Sequence, residues 1–212
     1  MSPLFLIIAH PIRAAEKLRQ SPRWLGAFLV IAAGMIALRF ASHPRLVEAT
    51  VAALPKSATI ADQSWARSIL DGDLLLRCAF LPLRQIAGMA AFALLLYLLC
   101  VVFAPPLRVR FKHVLALEVH AELLNLIGAW WTFVITSQVG DSAFASIGVV
   151  ALLTITKVFT LWYLVALSAG IATFCGYSKL KGGILAATAW IGSYLFNAFL
   201  LQSVGASMHL RV

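Results

Sequence analysis

Residues 86–104 carry no charge, and the run stops at Pro105-Pro106. At about 1.5 Å per residue such a segment crosses the ~30 Å hydrocarbon core of a bilayer. The paired prolines, with fixed φ and no amide donor, end the helix. A chain that contains this run folds in a membrane or around it. Composition points the same way, because 62% hydrophobic and only 12% charged residues leave too little polar surface to cover a soluble globule. The formal charge of +9 would also suit a nucleic-acid binder, but the cations flank apolar runs. They therefore point to a membrane surface and not to nucleic acid.

Four further spans are expected, at about 24–41, 114–136, 147–175 and 183–201, giving an all-α, five-span helical bundle. Arg39 lies near enough to the end of the first span to snorkel out. The fourth span holds Lys157 and is long enough to need tilt. Residues 1–23 form a basic lead-in, in which Pro11 to Gln20 place Ile12, Ala15 and Leu18 on one face, the pattern of a short helix lying on an anionic membrane or, equally, of a solvated basic segment. Its order, apolar and then basic, is the reverse of a secretory signal. Residues 43–84 read as a long external loop of balanced charge with short helices near 46–53 and 59–70.

Arginine and lysine set the orientation. Arg13, Lys17, Arg19 and Arg23, then Arg108, Arg110 and Lys112, then Lys179 and Lys181 all fall on one side, whereas the turn around Gly140-Asp141 has none. The positive-inside rule puts the N-terminus in the cytoplasm and the C-terminus outside.

The third span is the chemically unusual one. Glu118, Glu122, Asn125, Ala129, Thr132 and Thr136 recur at steps of three or four and form one stripe, which must face protein or water. An acid at mid-membrane costs roughly 2.5 to 3.5 kcal/mol, so a partner is expected. Counted along the helices, Glu122 lies roughly 12 Å deep, and Lys157 about 15 Å from the opposite face. A Lys157–Glu122 contact follows, with Glu118 nearer the cytoplasm. His120 points roughly opposite Glu118, since two residues turn a helix through about 200°. The intramembrane polar residues Glu118, His120, Glu122, Asn125 and Lys157 admit two readings. They form a packing clasp between spans, or they line a path for a cation or proton.

No enzyme signature is present: no His-Glu-x-x-His, no Gly-x-Ser-x-Gly and no phosphate-binding Gly-Lys-Ser/Thr loop. Cys78, Cys100 and Cys175 make no Cys-x-x-Cys, and neither a disulfide, a metal nor a cofactor is expected. Gly182-Gly183 suits a tight turn. Trp130 and Trp131 suit an outer aromatic belt. Ala33, Ala37 and Ala41 give the first span a small-residue face of the kind used in helix dimers.

Several of these features occur together in a known arrangement. A Pro-x-x-x-x-x-Lys lead-in precedes a tryptophan at the first span, and a basic Phe-Lys turn runs into Val114-Leu115-Ala116 and His120-Ala121-Glu122-Leu123. Later come Leu161-Trp162-Tyr163-Leu164, Gly170 and Ser178-Lys179-x-Lys181-Gly182. In this the chain resembles bacterial members of the Yip family, the Ypt/Rab-interacting five-span membrane proteins. The resemblance implies a five-span bundle with a cytoplasmic N-terminus in the bacterial inner membrane. Eukaryotic relatives are associated with Rab-type GTPases. This chain lacks their Asp-Leu-Tyr-Gly-Pro motif and long N-terminal region, so GTPase binding is not carried over to it. The expected function is non-enzymatic: organising or binding other membrane components, with the bilayer, a membrane protein or a second copy as partner. The alternative is a small cation or proton transporter.

Overall fold

The computed structural model describes residues 2–55, 57–103, 109–138 and 149–209. Pro105-Pro106, Arg108 and the turn at Gly140-Asp141 lie outside them. The described chain is helical: α1 (Pro3–Ala9), α2 (Pro11–Gln20), α3 (Leu25–Ala52), α4 (Ile60–Phe103), α5 (Phe111–Gln138), α6 (Val149–Cys175) and α7 (Lys179–His209). Three of its segments are long and apolar enough to cross a membrane: α3, α4 and the part of α6 from Lys157 to Cys175.

At the centre α5 and α6 run antiparallel. A Cβ on Gly170 would lie 2.2 Å from the Leu117 side chain, and one on Gly128 would lie 3.0 Å from Phe159. Glycine thus lets the two helices approach closely, the usual device where lipid supplies no hydrophobic drive for helix association. Leu117, Leu124, Leu167 and Ile171 are fully buried between them and their neighbours. The helix α3 joins this pair where Leu126 fills the space above Gly34 and the Trp130 Nε1–H donates to the Gly34 carbonyl at 3.1 Å. Trp130 is therefore a packing residue; of the expected belt pair, only Trp131 is exposed.

The N-terminal lead-in packs against the helical bundle. Ala14, Ala15 and Leu18 of α2 are fully buried, and α2 packs chiefly on α6. The Trp162 Nε1–H donates to the Ile8 carbonyl at 2.9 Å, and Arg19 donates to the Thr173 carbonyl at 3.3 Å. Of the expected stripe, Ala15 and Leu18 meet protein, joined by Ala14, while Ile12 stays exposed; the two alanines are small enough to admit a neighbouring helix.

Most of residues 43–84 is not loop. The helix α3 continues through Pro44 to Ala52, and α4 begins at Ile60 and continues through Pro82 for 44 residues. That is roughly 66 Å, about twice a bilayer core. The charges that suggested a loop sit on helix surfaces, where His43 meets Asp71 at 2.7 Å across the α3–α4 hairpin and Arg77 pairs with Asp73 one turn away. Thr59 caps α4: its amide and hydroxyl both donate to Asp62, at 2.7 and 2.8 Å, and its hydroxyl accepts the Asp62 amide. This reciprocal capping box holds the Asp62 carboxyl below its ordinary range, through the Thr59 amide first and the hydroxyl second. Arg45 closes the end of α5, donating to the Thr136 and Ser137 carbonyls at 3.0 and 2.9 Å. A cation thus meets the carbonyls a helix leaves unpaired at its C-terminus.

The α6–α7 turn is made by Gly176, whose φ of 68° is open to glycine, and not by the Gly182-Gly183 pair. Gly182 instead presses α7 on α6. A Cβ there would lie 2.6 Å from the Ser168 carbonyl oxygen, whereas one on Gly183 would meet nothing closer than 3.4 Å. Gly182→Ala is expected to destabilise the protein by about 1–3 kcal/mol through backbone overpacking, and Gly183→Ala to change little. Thermal unfolding of both variants in detergent measures the difference, and equal behaviour would contradict this packing.

Candidate binding cavity

The acidic stripe of α5 faces open space. A cavity of about 800 Å³ lies among α3, α4, α5, α6 and α7, reaching Glu118, Glu122 and Asn125. The i, i+4, i+7 spacing that places these three on one face here points them at a volume within the range typical of small-molecule sites. Across from them α4 contributes Arg84, Gln85, Gly88 and Phe92, α3 contributes Arg39, and α7 contributes Trp190, Ser193 and Phe196.

Each acid is held by a hydrogen bond. The Tyr163 hydroxyl of α6 donates to the Glu118 carboxyl, 2.9 and 3.0 Å from its two oxygens. Glu118 is 3% exposed and Tyr163 also 3%, so each satisfies the other where an unmet polar group is costly. Glu122 accepts from the Asn125 Nδ2–H at 2.8 Å on Oε2. Gln85, another residue of the cavity wall, has its Oε1 buried with no hydrogen-bond partner.

Lys157 does not reach Glu122. Among the described residues the ion pairs are His43–Asp71 and Arg77–Asp73, and Lys157 is exposed. The packing register gives the reason. With Gly128 against Phe159 and Gly170 against Leu117, Lys157 falls level with Trp130, roughly eight residues and about 12 Å along the axis from Glu122. Counting residues inward from assumed membrane faces set the two helices too far past each other.

His120 behaves differently from its neighbours. It is 4% exposed and turned away from the cavity, with its Nδ1–H donating to the Ala116 carbonyl at 2.7 Å. The structure therefore brings together Glu118, Glu122 and Asn125 and separates them from His120 and Lys157. Residues not anticipated as part of the site are Tyr163, Gln85, Arg39 and Arg84. Tyr163 carried a usable signal, a hydroxyl within an apolar span, where a buried O–H needs an acceptor. Arg84 carried none, since it stood at the edge of an apparent loop. Cys100 and Cys175, distant in sequence, also meet, at the cytoplasm-facing end expected for α4 and α6.

Tyr163→Phe leaves the buried Glu118 carboxyl without its donor and is expected to lower stability by about 1–3 kcal/mol. Lys157→Leu is expected to stay within about 0.5 kcal/mol of the parent. Unfolding in detergent ranks the two variants, and the reverse order would reinstate an ion pair at Lys157. Comparison of the chain with protein-family models, with curated proteins and with solved structures finds none that matches, so the work of this cavity is read from its own chemistry.

Proposed function

We propose that this chain is a non-enzymatic, multi-pass membrane protein of the Yip type that binds a membrane component in its interhelical cavity. The observation that carries the reading is the cavity itself. Two carboxyl groups that are expensive to place in a membrane line an open volume and are held by hydrogen bonds, with no opposite charge among the described residues closing over them. A clasp would have filled the space with the paired side chains. A binding site keeps it open.

Five spans, a cytoplasmic N-terminus and residence in a bacterial inner membrane belong to the same proposal. In support, α3 to α7 each contain at least 27 residues, more than the roughly 20 a crossing takes. The Lys181 ammonium reaches the Phe103 carbonyl at 3.4 Å, so the start of α7 and the end of α4 lie together, as two basic cytoplasmic turns would. The resemblance of the His120-Ala121-Glu122-Leu123 and Ser178-Lys179-x-Lys181-Gly182 segments to the Yip family supports the type.

Cation or proton transport uses the same acids, and the reach of the cavity to Glu122 is what favours it. Arg39 and Arg84 place positive charge on the same cavity wall, so the site carries charge of both signs and suits a ligand bearing both better than a lone inorganic cation.

Gly88 offers the test, because a Cβ there meets no atom within 4 Å and the residue lines the cavity. Gly88→Trp is expected to leave folding intact while filling the volume. Native mass spectrometry in a mild detergent is expected to show amphiphile bound to the parent protein and lost from this variant. Equal retention by both would sink the reading. Cation- or pH-dependent flux into liposomes that disappears in Glu122→Gln would replace it with transport.

A further inference from the structure

The charges around the cavity specify more than its presence. Glu118 and Glu122 come from neighbouring turns of α5 and receive protein hydrogen bonds from two neutral donors, Tyr163 and Asn125. Asn125 engages only one oxygen of Glu122, and Gln85 Oε1 is buried without any partner. The α5 wall thus offers carboxyl acceptors, while Arg84 of α4 and Arg39 of α3 bring donors and positive charge to other parts of the same cavity. Its remaining surface is aromatic and apolar, from Phe92, Trp190 and Phe196.

An occupant that fits must bring N–H donors, positive charge and an apolar body. A primary ammonium carries three donors and no acceptor, and its attraction to a carboxylate grows as water is excluded. An aromatic wall suits such a cation as well as it suits an alkyl chain. A neutral alcohol offers one donor and no charge. An anion with no positive group could take Arg39 and Arg84 but would leave the two acids unmet.

Resting on the proposal that the cavity is a binding site, we infer that its ligand is a protonated primary amine on an apolar body, with the ammonium at Glu122 and Glu118 and the body against Phe92, Trp190 and Phe196. Two sources share this chemistry, an aminophospholipid and a free long-chain amine. Arg39 and Arg84 separate them. Both line the cavity and neither pairs with the two acids. Arg39 follows Gly34, which meets Leu126 and Trp130, and precedes Arg45, which meets the end of α5. It therefore lies toward the α5 C-terminus from Glu122. A phosphodiester attached to the amine would take these guanidinium groups, which bind phosphate by paired hydrogen bonds, and a simple amine would leave them in solvent.

The test measures binding of dodecylamine and of dodecanol to the purified full chain in a nonionic detergent at neutral pH, following Trp fluorescence and native mass. Dodecylamine is expected to bind at least about tenfold tighter than dodecanol, the weight of one hydrogen bond to a charged group. Glu122→Gln is expected to abolish that preference while dodecanol still binds, and Lys157→Leu, away from the cavity, to leave it unchanged. Equal affinity for the two probes in the parent protein, or a preference that survives Glu122→Gln, overturns the amine assignment and leaves the cavity reading standing. Binding of both probes that Gly88→Trp does not reduce overturns the cavity reading itself. Phosphatidylethanolamine and phosphatidylglycerol then identify the source. A preference for phosphatidylethanolamine that falls about tenfold or more when Arg39 and Arg84 become Gln supports the lipid. Dodecylamine binding that is unchanged by those substitutions, with no preference for phosphatidylethanolamine, supports the free amine. Tighter binding of phosphatidylglycerol than of phosphatidylethanolamine overturns both.

Discussion

The close antiparallel contact of α5 with α6 is the constraint on which the rest of the molecule depends. Gly170 under Leu117 and Gly128 under Phe159 fix how far one helix slides along the other, because a larger residue at either point would force the backbones apart. That register brings Tyr163 to Glu118 and keeps Lys157 away from Glu122. The other elements are then added to a pair whose faces are already set. Among them α3 docks through Gly34 and Trp130, α7 through Gly182, α2 on α6 through Ala14, Ala15 and Leu18, and α1 on α2 and α5 through Leu6 and Ile7.

The same register explains why the acids are tolerated without a cation. Burying a charge pair requires both ions to lose their water, and their mutual attraction repays this only in favourable geometry. A tyrosine hydroxyl and an asparagine amide satisfy the carboxyl groups at lower desolvation cost, since neither donor is itself an ion. Because those donors belong to α5 and α6, the acids need nothing from α3, α4 or α7. These three helices are free to stand off, and the open volume between them and the acidic stripe is the result.

Beyond this bundle α3 and α4 continue as a helical hairpin. Two ion pairs join its described residues, His43–Asp71 across the helices and Arg77–Asp73 within one, while Trp65, Leu76 and Leu83 remain exposed along α4. Two prolines inside these helices do not end them. The lost hydrogen bond of a proline is local, and contact with the opposite helix of the hairpin supports the segments on either side.

Sequence alone determined that this is an all-helical chain with membrane-crossing runs, that Glu118, Glu122 and Asn125 share a face, and that His120 does not. These follow from local quantities, hydropathy over some twenty residues and the 100° step of a helix, which hold whatever the neighbours do. It found the helices near 46–53 and 59–70 but read them as short pieces of a loop and not as the ends of α3 and α4, because charge and proline mimic loop composition when the supporting helix lies elsewhere in the chain. It placed α2 on lipid because periodicity shows that a face is apolar without showing what covers it. The partner of Glu122 depended on the sliding register of two helices, which a few glycine contacts set to within a residue, a precision that counting from membrane faces does not reach. The cavity was decided only in the tertiary structure. An empty volume belongs to no residue, and it exists because five helices meet around a stripe that one of them had already satisfied.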